Sequence, residues 1–310
     1  MKQLITVGDD FGYSRSITEA IIQAHQQGIL TSASLMPCGD DFEHAVELAR
    51  QTPTLSVGAH LCLLQARAVL PPDEIPLLAD AHGDFHNNPW VAGLKFFLVP
   101  GIRHQIEREL RAQMEKFLAT GLRPSHVNTH MYLHAHPVVF PIVAALAREC
   151  GVTHLRVPRE DFRSLLLLNP RHFPSGFLRA IFFRLLSLGL ERKIQCAGFS
   201  TTDSLCGLLQ SGQMNETRLA AVLRHLEEGI TEIYFHPGRD DDPVLVRWQP
   251  DYRHADETRA LVSPEIRELI RKLGIRLTDF ESAMDWKSAA VSSEPPLPAN
   301  LAKTLDDVAS

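Results

Sequence analysis

Residues 4–28 read LITVGDDFGYSRSITEAIIQAHQQG, and they contain the first strand and helix patterns of the chain. The first four residues of this stretch form an apolar, partly β-branched run that is typical of a buried strand. The S-x-x-E pattern from Ser16 to Glu19 is typical of a helix N-terminus, and Gly28 marks the end of that helix. The stretch therefore predicts one strand followed by one helix, which is the repeating unit of an α/β protein.

The alternation of strand and helix patterns continues along the chain. Predicted strands cover residues 4–7, 32–36, 56–61, 126–128, 154–157, 194–200, 230–235 and 275–278. Eight such units in 310 residues, with no linker between them, predict an α/β fold with a single TIM-barrel-like (β/α) barrel, complete or distorted. A doubly wound open sheet is the alternative. Residues 63–100 are longer than an ordinary connection and predict a loop or lid insertion.

Two segments differ from this pattern. Residues 1–287 are assigned to the barrel, whereas residues 288–310 are rich in Ser, Ala and Pro and predict a flexible C-terminal tail. Residues 162–190 are apolar, but Arg179 and Arg184 interrupt them before they reach the length of a membrane span. Three interpretations of this segment stay open: a buried helix that covers the barrel, a lid over an apolar substrate, or an interfacial helix in peripheral contact with a membrane.

The composition narrows the class of protein. A formal net charge of -6 lacks the basic excess of a general nucleic-acid binder, so we expect no nucleic-acid partner. Five scattered cysteines without a CxxC pair predict neither a disulfide framework nor a thiolate metal site. The N-terminus has no room for a signal peptide, which predicts a cytoplasmic protein, at the inner membrane face if the apolar segment contacts lipid. P-loop, GxGxxG, GxSxG and HExxH motifs are absent from the sequence.

Chemically capable side chains collect where the predicted strands end. These residues are Asp9, Asp10, His60, His130, Arg156 and His236. Parallel barrels place their active sites at the C-terminal ends of their strands, so we expect these side chains to converge.

Histidines are concentrated in residues 126–137, which read HVNTHMYLHAHP. Four histidines within eleven residues favour a metal site over a set of solvated surface histidines, because neutral imidazole is a common metal ligand. One carboxylate with two histidines would leave coordination positions open for water and substrate. The alternative interpretation of His60 is a hydrogen-bonded histidine in the core. The alternative for His236 is an ordinary residue at the end of a strand.

Four motifs, in this order and at this spacing, resemble those of the YdjC-like carbohydrate deacetylase family. They are Asp9-Asp10-Phe11-Gly12, Gly58-x-His60-Leu61, His126-x-Asn128-x-His130-x-x-x-His134 and Phe235-His236-Pro237-Gly238. The resemblance covers roughly residues 2–285. Residues 30–36, 69–72 and 231–237 are similar to the branch of the family that is associated with hopanoid biosynthesis.

This resemblance implies a TIM-barrel-like fold and a metal-dependent hydrolase that removes acetyl from an N-acetylated sugar, which breaks a linear amide C–N bond. By position, Asp10, His60 and His130 match the family's metal ligands. Asp9 matches its proposed base and His236 its proposed acid.

Four further residues border these positions. Many family members carry Asp where this chain has Asn128, and because an amide does not exchange a proton as a carboxyl does, Asn128 is expected to orient His130 by a hydrogen bond. Arg156 is expected to orient Asp9 or the substrate, with an ordinary ion pair as the alternative. His126 and His134 are assigned as neighbours of the site or substrate contacts.

The cofactor and the substrate follow from the same resemblance. One divalent metal ion is expected, and two imidazole ligands favour Zn over Mg. The substrate implied is an N-acetylglucosaminyl hopanoid-type glycolipid, with a chitooligosaccharide or another N-acetylated carbohydrate as the alternative. A metal-dependent phosphoesterase or amidase, and a non-enzymatic sugar- or lipid-binding barrel, also stay open. The sequence does not specify the oligomeric state.

Overall fold

The computed structural model describes residues 1–157, 189–208, 210–283 and 285. At its centre is a parallel sheet with the strand order β4-β3-β2-β1-β6-β5, and β7 also pairs with β1. The strands are β1 Lys2–Phe11, β2 Ser32–Leu35, β3 Ser56–Leu61, β4 Val127–Thr129, β5 Ser204–Cys206, β6 Gly229–Phe235 and β7 Arg276–Leu277. The α/β prediction is therefore confirmed.

Strand β1 forms the middle of this sheet. Its residues from Gln3 to Phe11 are all buried. One edge pairs with β6 along residues 2–8, while β7 pairs with residues 3–4 and β2 with residues 7–11. A strand that is covered on both faces and paired on both edges has to be apolar along most of its length, which explains the continuous apolar run in the sequence.

The sheet is curled, and isolated bridges extend it beyond β4. Val127 pairs with Leu155, and His154 pairs with Ser200, both in parallel. A complete eight-stranded barrel is not confirmed, because only seven strands form among the described residues. The strand predicted at residues 194–200 is wrong: residues 189–196 are helical, and only Ser200 makes a bridge. Leu190 and Ile194 are both buried and lie four positions apart, so this segment buries one face of a helix rather than of a strand.

Nine helices with named bounds surround the sheet within the described ranges. They are α1 Arg15–Gln27, α2 Phe42–Gln51, α3 Pro89–Leu98, α4 Ile102–Ala119, α5 Phe140–Glu149, α6 Glu216–Arg224, α7 Pro243–Trp248, α8 His254–Val262 and α9 Pro264–Lys272. None of the described helices combines the length and the apolar character that crossing a membrane requires.

Helix α1 begins earlier than its capping pattern predicts. The side chain of Ser14, in an extended conformation, accepts a hydrogen bond from the backbone N–H of Ile17 and caps the helix. Ser16 instead lies buried in the first turn, and Glu19 forms an exposed ion pair with Arg15. A capping residue directly precedes the first helical residue, so the cap is Ser14 and not Ser16, two positions later.

The insertion at residues 63–100 is ordered around α3. Antiparallel bridges join Arg67 to Asp84 and Ala79 to Phe85 within it. Helix α3 buries Ala92 and Phe96 but exposes a large apolar face, made of Trp90, Val91, Leu94, Phe97 and Leu98. The apolar segment 162–190 lies outside the described residues except for its last two positions, and the predicted tail 288–310 lies wholly outside them.

Gly58 in β3 leaves room for the ring of His126. A Cβ at this position would lie 2.4 Å from the Nδ1 atom and 2.5 Å from the carbonyl oxygen of His126. We therefore expect Gly58→Ala to lower the free energy of unfolding by about 1–3 kcal/mol, measured by urea denaturation. Gly93→Ala in helix α3 is the matched control, because the nearest atom there, Cδ2 of His136, is 3.9 Å away. Equal stability of the two variants would contradict the steric argument.

Candidate metal centre and active site

The two adjacent aspartates at the end of β1 have different partners because the strand is irregular there. Gly8 pairs with Ala33 and Phe11 pairs with Leu35, so β1 holds one residue more than β2 across this interval. Within it, Asp10 adopts a left-handed conformation with a φ of 61°. Such bulges redirect side chains at sheet edges and active sites, and Asp is among the residues that tolerate this conformation.

The carboxylate of Asp10 contacts two histidines at a buried point. Its Oδ1 atom lies 3.0 Å from Nδ1 of His130 and 3.1 Å from Nε2 of His60. One donor atom from each of the three residues falls within 4.8 Å of the other two. The Nε2 atom of His60 has no hydrogen-bond partner with acceptable geometry in the described part of the chain. The three residues that the sequence proposes as ligands are therefore brought together.

The donor set of these three residues fits a divalent cation. Burial raises the pKa of Asp10, but His130 and His60 outweigh it and hold that pKa well below its usual range, so the carboxylate is ionised. Burial lowers the pKa of His60, whereas Asp10 and Asp9 raise it to a net value above its usual one. One anionic oxygen and two imidazole nitrogens are ligands that zinc accepts, and three protein ligands leave a position for water or substrate.

Asn128 orients His60 rather than His130, which corrects the expectation. The two side chains lie on the same face because His60 and Asn128 are paired in register on adjacent parallel strands. Nδ1 of His60 lies 2.6 Å from Oδ1 of Asn128. With the amide reversed, Oδ1 would face Arg156 at 3.1 Å, but Nδ1 of His60 would then lose its proton. A metal ion on Nε2 of His60 would require the first orientation, because Nδ1 then carries the proton and Nε2 keeps its lone pair.

Two glutamines that sequence analysis missed complete the surroundings of the triad. Gln249, which follows α7, donates from Nε2 to Oδ2 of Asp10 over 2.7 Å. Oε1 of Gln65 lies 3.3 Å from Nε2 of His130. These contacts use Oδ2 of Asp10 and Nε2 of His130, so Oδ1 of Asp10 and Nδ1 of His130 face the triad. Hydrogen bonds of this kind orient the ligands of metal sites. Neither glutamine belongs to a recognisable motif, so no local signal could have identified it.

Asp9 is held by a buried arginine. Both guanidinium Nη atoms of Arg156 donate to its carboxylate, and Nε of Arg156 donates to Glu232 over 2.6 Å. Ser34 donates to Oδ1 of Asp9 over 2.9 Å. Burial raises the pKa of Asp9, but Arg156 outweighs it and the pKa falls to about 2. Asp9 is consequently ionised at neutral pH.

His236 lies at the neighbouring strand end. Because Gly8 pairs with Phe235, His236 follows β6 beside the point where Asp9 follows Gly8 in β1. Its ring packs against Tyr234 and Tyr252, with centroid distances of 5.6 and 4.9 Å. Burial lowers the pKa of His236 to about 4, so its ring is neutral at pH 7 in the free protein.

The backbone of His236 is held from helix α8 by two residues that the sequence did not single out. Its N–H donates to the carboxylate of Glu257, and its carbonyl lies 2.8 Å from Nδ1 of His254. Glu257 also accepts from the backbone N–H of Met214 over 2.8 Å. Burial raises the pKa of Glu257 to about 7.

His126 and His134 do not join the triad. His126 lies 3.0 Å from Oγ of Ser34, the serine that donates to Asp9. His134 lies 2.7 Å from Oγ1 of Thr129 and 2.8 Å from the carbonyl oxygen of Arg156. Both histidines are buried, and both contact residues that are themselves next to Asp9.

Known proteins resemble this chain along most of its length. The YdjC-like protein family matches residues 3–272. A carbohydrate deacetylase of Geobacillus stearothermophilus is 41% identical over 277 residues, which are 89% of this chain and 96% of that protein. A chitooligosaccharide deacetylase of Yersinia pestis is 30% identical over 286 residues, which are 90% of this chain and 98% of that protein.

A solved structure is also similar. It is the crystal structure of an Enterococcus faecalis V583 protein named for the cleavage of cellobiose phosphate. It is 28% identical, has a TM-score of 0.71, and the match covers 91% of this chain and 98% of that one. With the family match over residues 3–272 and the relative at 41% identity, this chain belongs to the YdjC-like family.

Proposed function

We propose that this protein is a metal-dependent hydrolase that removes the acetyl group from an N-acetylated carbohydrate. The observation that carries the proposal is the buried triad of Asp10, His60 and His130, with Asp9 and His236 at the two neighbouring strand ends. The relatives named carbohydrate and chitooligosaccharide deacetylases support the same reaction. Water adds its oxygen to the acetyl carbon, the C–N bond breaks, and acetate and a free amine are released.

Asp10, His60 and His130 would hold the metal ion. When bound there, a divalent cation supplies Lewis acidity, which activates water and polarises the acetamide carbonyl. Two imidazoles and one carboxylate favour Zn over Mg, because Mg prefers oxygen ligands and retains several waters.

Asp9 acts as the general base and takes a proton from the attacking water. Its Oδ1 atom is occupied by Ser34 and Arg156, while Oδ2 accepts one hydrogen bond, from Arg156, within the described structure. Oδ2 is therefore the atom with capacity for the incoming proton. Arg156 fixes the direction of the carboxylate and compensates its charge, and Glu232 in turn holds Arg156.

His236 gives a proton to the departing amine. With a pKa of about 4 in the free protein, its ring has to gain a proton during the reaction, and the proton that Asp9 takes from water, passed on through solvent, balances the one that His236 gives to the amine. The negative charge that develops on the former carbonyl oxygen raises the pKa of a neighbouring imidazole. Glu257 and His254 act as positioning residues, because they hold the backbone on which the His236 ring is carried.

The curled sheet is proposed to be the wall of a distorted (β/α) barrel. The bridges of Leu155 to Val127 and of His154 to Ser200 support this arrangement, because they continue the sheet from β4 towards β5. The catalytic groups would then lie at the C-terminal mouth of the barrel.

An N-acetylglucosaminyl glycolipid of hopanoid type is the proposed substrate within this class. The sequence similarity at residues 30–36, 69–72 and 231–237 supports it. The exposed apolar face of α3 also supports it, because an apolar aglycone next to the sugar needs such a surface. A soluble chitooligosaccharide is the alternative, and it makes no use of that face.

Acetate release from a panel of substrates tests the function. The expected result is acetate release from N-acetylated glycans, lost on chelation and restored by Zn, with a higher kcat/KM for the lipid-linked sugar than for a chitooligosaccharide. Equal rates on both would contradict the glycolipid proposal alone. Phosphate release without acetate release would favour a phosphoesterase. Sugar binding that is insensitive to chelation, without acetate, would favour a non-enzymatic barrel.

A further inference from the structure

We propose that helix α3 docks this protein on the surface of an anionic phospholipid bilayer. Its apolar face enters the boundary between the headgroups and the acyl chains, as the apolar faces of interfacial helices do. The face consists of Trp90, Val91, Leu94, Phe97 and Leu98. The inference goes beyond the proposed function, because it concerns the bilayer itself and is tested without substrate.

The exposed apolar side chains of the protein are concentrated on this helix. Nine large apolar residues are exposed in the described ranges, and five of them lie on α3, with exposed fractions from 46% for Val91 to 76% for Trp90. They occupy positions i, i+1, i+4, i+7 and i+8, which place them on one face of a helix with 3.6 residues per turn. Apolar residues scattered singly over a surface need no partner, whereas a contiguous face of this kind marks an interaction surface.

Helix α3 is anchored to the protein by the side opposite to its apolar face. Ala92 and Phe96 point inwards and are buried, and the rings of Phe96 and His136 pack edge-on with centroids 5.6 Å apart. At the start of the helix, the side chain of Asn88 accepts a hydrogen bond from the backbone N–H of Trp90 over 2.9 Å. The apolar face therefore belongs to a helix that is already formed and held in place.

The charges around the helix favour an anionic surface. Residues 85–106 contain Lys95 and Arg103 but no Asp or Glu, although the whole chain has a formal net charge of -6. The carboxylate that directly precedes this segment, Asp84, forms an ion pair with Arg247 over 2.9 Å. A lysine beside an apolar face can keep its ammonium group among the headgroups while its methylene groups stay in the apolar layer. Lipid phosphates supply the negative charge that this segment lacks.

The same charges argue against a second copy of this chain as the occupant of the face. A two-fold interface centred on α3 would bring identical segments together, with Lys95 and Arg103 of one copy near the same cations of the other. Residues 85–106 contain no carboxylate that could compensate them. Like charges across an interface cost free energy, whereas an anionic bilayer attracts both cations.

Helix α3 also lies on the side of the sheet that carries the triad. Nε2 of His136, six positions after His130, lies 3.1 Å from the carbonyl oxygen of Gly93 in α3. Gln65, which contacts His130, also donates to the carbonyl of Asn87, just before the helix. A bilayer that contacts α3 therefore lies near the strand ends that carry the triad. A sugar attached to a lipid of that bilayer would be presented at this edge, with its apolar part in the same layer as the face of α3.

Co-sedimentation with vesicles tests the docking. We expect the wild type to bind vesicles of phosphatidylcholine with about 30% phosphatidylglycerol about tenfold more tightly than vesicles of phosphatidylcholine alone. The double variant Leu94→Ser, Phe97→Ser should bind the anionic vesicles about 10- to 100-fold more weakly than wild type, because it removes apolar area from the face. Leu118→Ser is the matched control and should bind as wild type does, since Leu118 is an exposed leucine at the far end of α4.

Tryptophan fluorescence shows whether the face itself enters the bilayer. The chain has three tryptophans, and Trp90 is the one on α3. Lipids brominated on their acyl chains should quench the emission of wild type on anionic vesicles, and most of this quenching should be lost in Trp90→Phe. This variant keeps an aromatic ring on the exposed face, so it covers the case in which the double variant folds poorly.

Several results would overturn the docking. They are a wild type that sediments with neither kind of vesicle, equal binding to neutral and anionic vesicles, equal loss of binding in Leu118→Ser and the double variant, or quenching that Trp90→Phe retains. A dimer in sedimentation velocity that the double variant dissociates would identify a second copy as the occupant and would also overturn it. Because these measurements contain no substrate, their outcome is independent of whether the protein releases acetate.

Discussion

Replacing Asp10 by Asn is expected to abolish stoichiometric metal binding and to reduce acetate release to the uncatalysed background. Oδ1 of Asp10 is the atom on which His60 and His130 converge, and it is the anionic donor of the triad. A neutral amide removes this charge and one ligand, which leaves two imidazoles at a buried point. Zinc content after dialysis and calorimetric zinc titration measure the effect.

Gln249→Leu is expected to weaken metal binding less than Asp10→Asn does. Within the described residues, the side chain of Gln249 contacts Oδ2 of Asp10, the oxygen that faces away from the histidines, and removal of such contacts typically costs about 10- to 100-fold in metal affinity. The saturated enzyme should keep most of its kcat, because all three donor atoms remain. If Asp10→Asn bound zinc as tightly as wild type, the assignment of the triad as the metal site would be contradicted. If Gln249→Leu did so, the role of Gln249 in supporting Asp10 would be contradicted.

The pH dependence of metal binding follows from the same contacts. Net of burial, Asp10 and Asp9 raise the pKa of His60 above its usual value, so a proton competes with the metal for Nε2. Metal affinity should therefore rise as the pH increases through that pKa and His60 loses its proton.

Replacing Asp9 by Asn is expected to lower the single-turnover rate of acetate release by about 100- to 10,000-fold while the protein keeps its metal. Asparagine preserves the shape of the side chain but does not accept the proton of water. Asp9 is not one of the three donors around the triad, so the zinc content should stay stoichiometric. Measuring both the rate and the zinc content shows whether Asp9 acts as a base or as a metal ligand.

The control for Asp9→Asn is Asp251→Asn, because Asp251 is an exposed aspartate. Its rate should equal that of wild type. Asp9→Asn also leaves Arg156 with a weaker partner, so a thermal unfolding curve is needed to show that the variant is folded at the assay temperature. Near-normal deacetylation by a folded, zinc-loaded variant would contradict the base assignment.

The triad could be proposed from the sequence because its members lie in motifs that resemble those of the family, at positions that match the family's metal ligands. Asp10, His60 and His130 belong to three short motifs, and parallel strands bring their C-terminal ends to one edge. The residues that hold the site in place belong to no such motif. Gln249 contacts Asp10 across 239 positions of sequence, and Glu257 is one of many glutamates on helices. A residue whose only role is one side-chain contact across the fold leaves no local pattern.

The errors in the predicted elements have physical causes. The long insertion contains α3, whose apolar face is exposed, so its composition lacks the polar half that marks a surface helix. The capping box at Ser16 is displaced because Ser14, one position before the helix, accepts the hydrogen bond from the backbone N–H of Ile17. Asn128 contacts His60 because of the register between β3 and β4, which one-dimensional spacing does not contain.

The α/β class, the family and the residue types at each strand end could all be inferred from the sequence. These properties follow from periodicity and motif order, which are local. Which partner each aspartate faces depends on the three-dimensional arrangement of the strands. A one-residue bulge and a left-handed Asp10 direct one carboxylate to the two histidines, and a buried arginine 147 positions away holds the other. Contacts between distant strands set these directions, because side-chain orientation depends on register and local backbone geometry rather than on residue type.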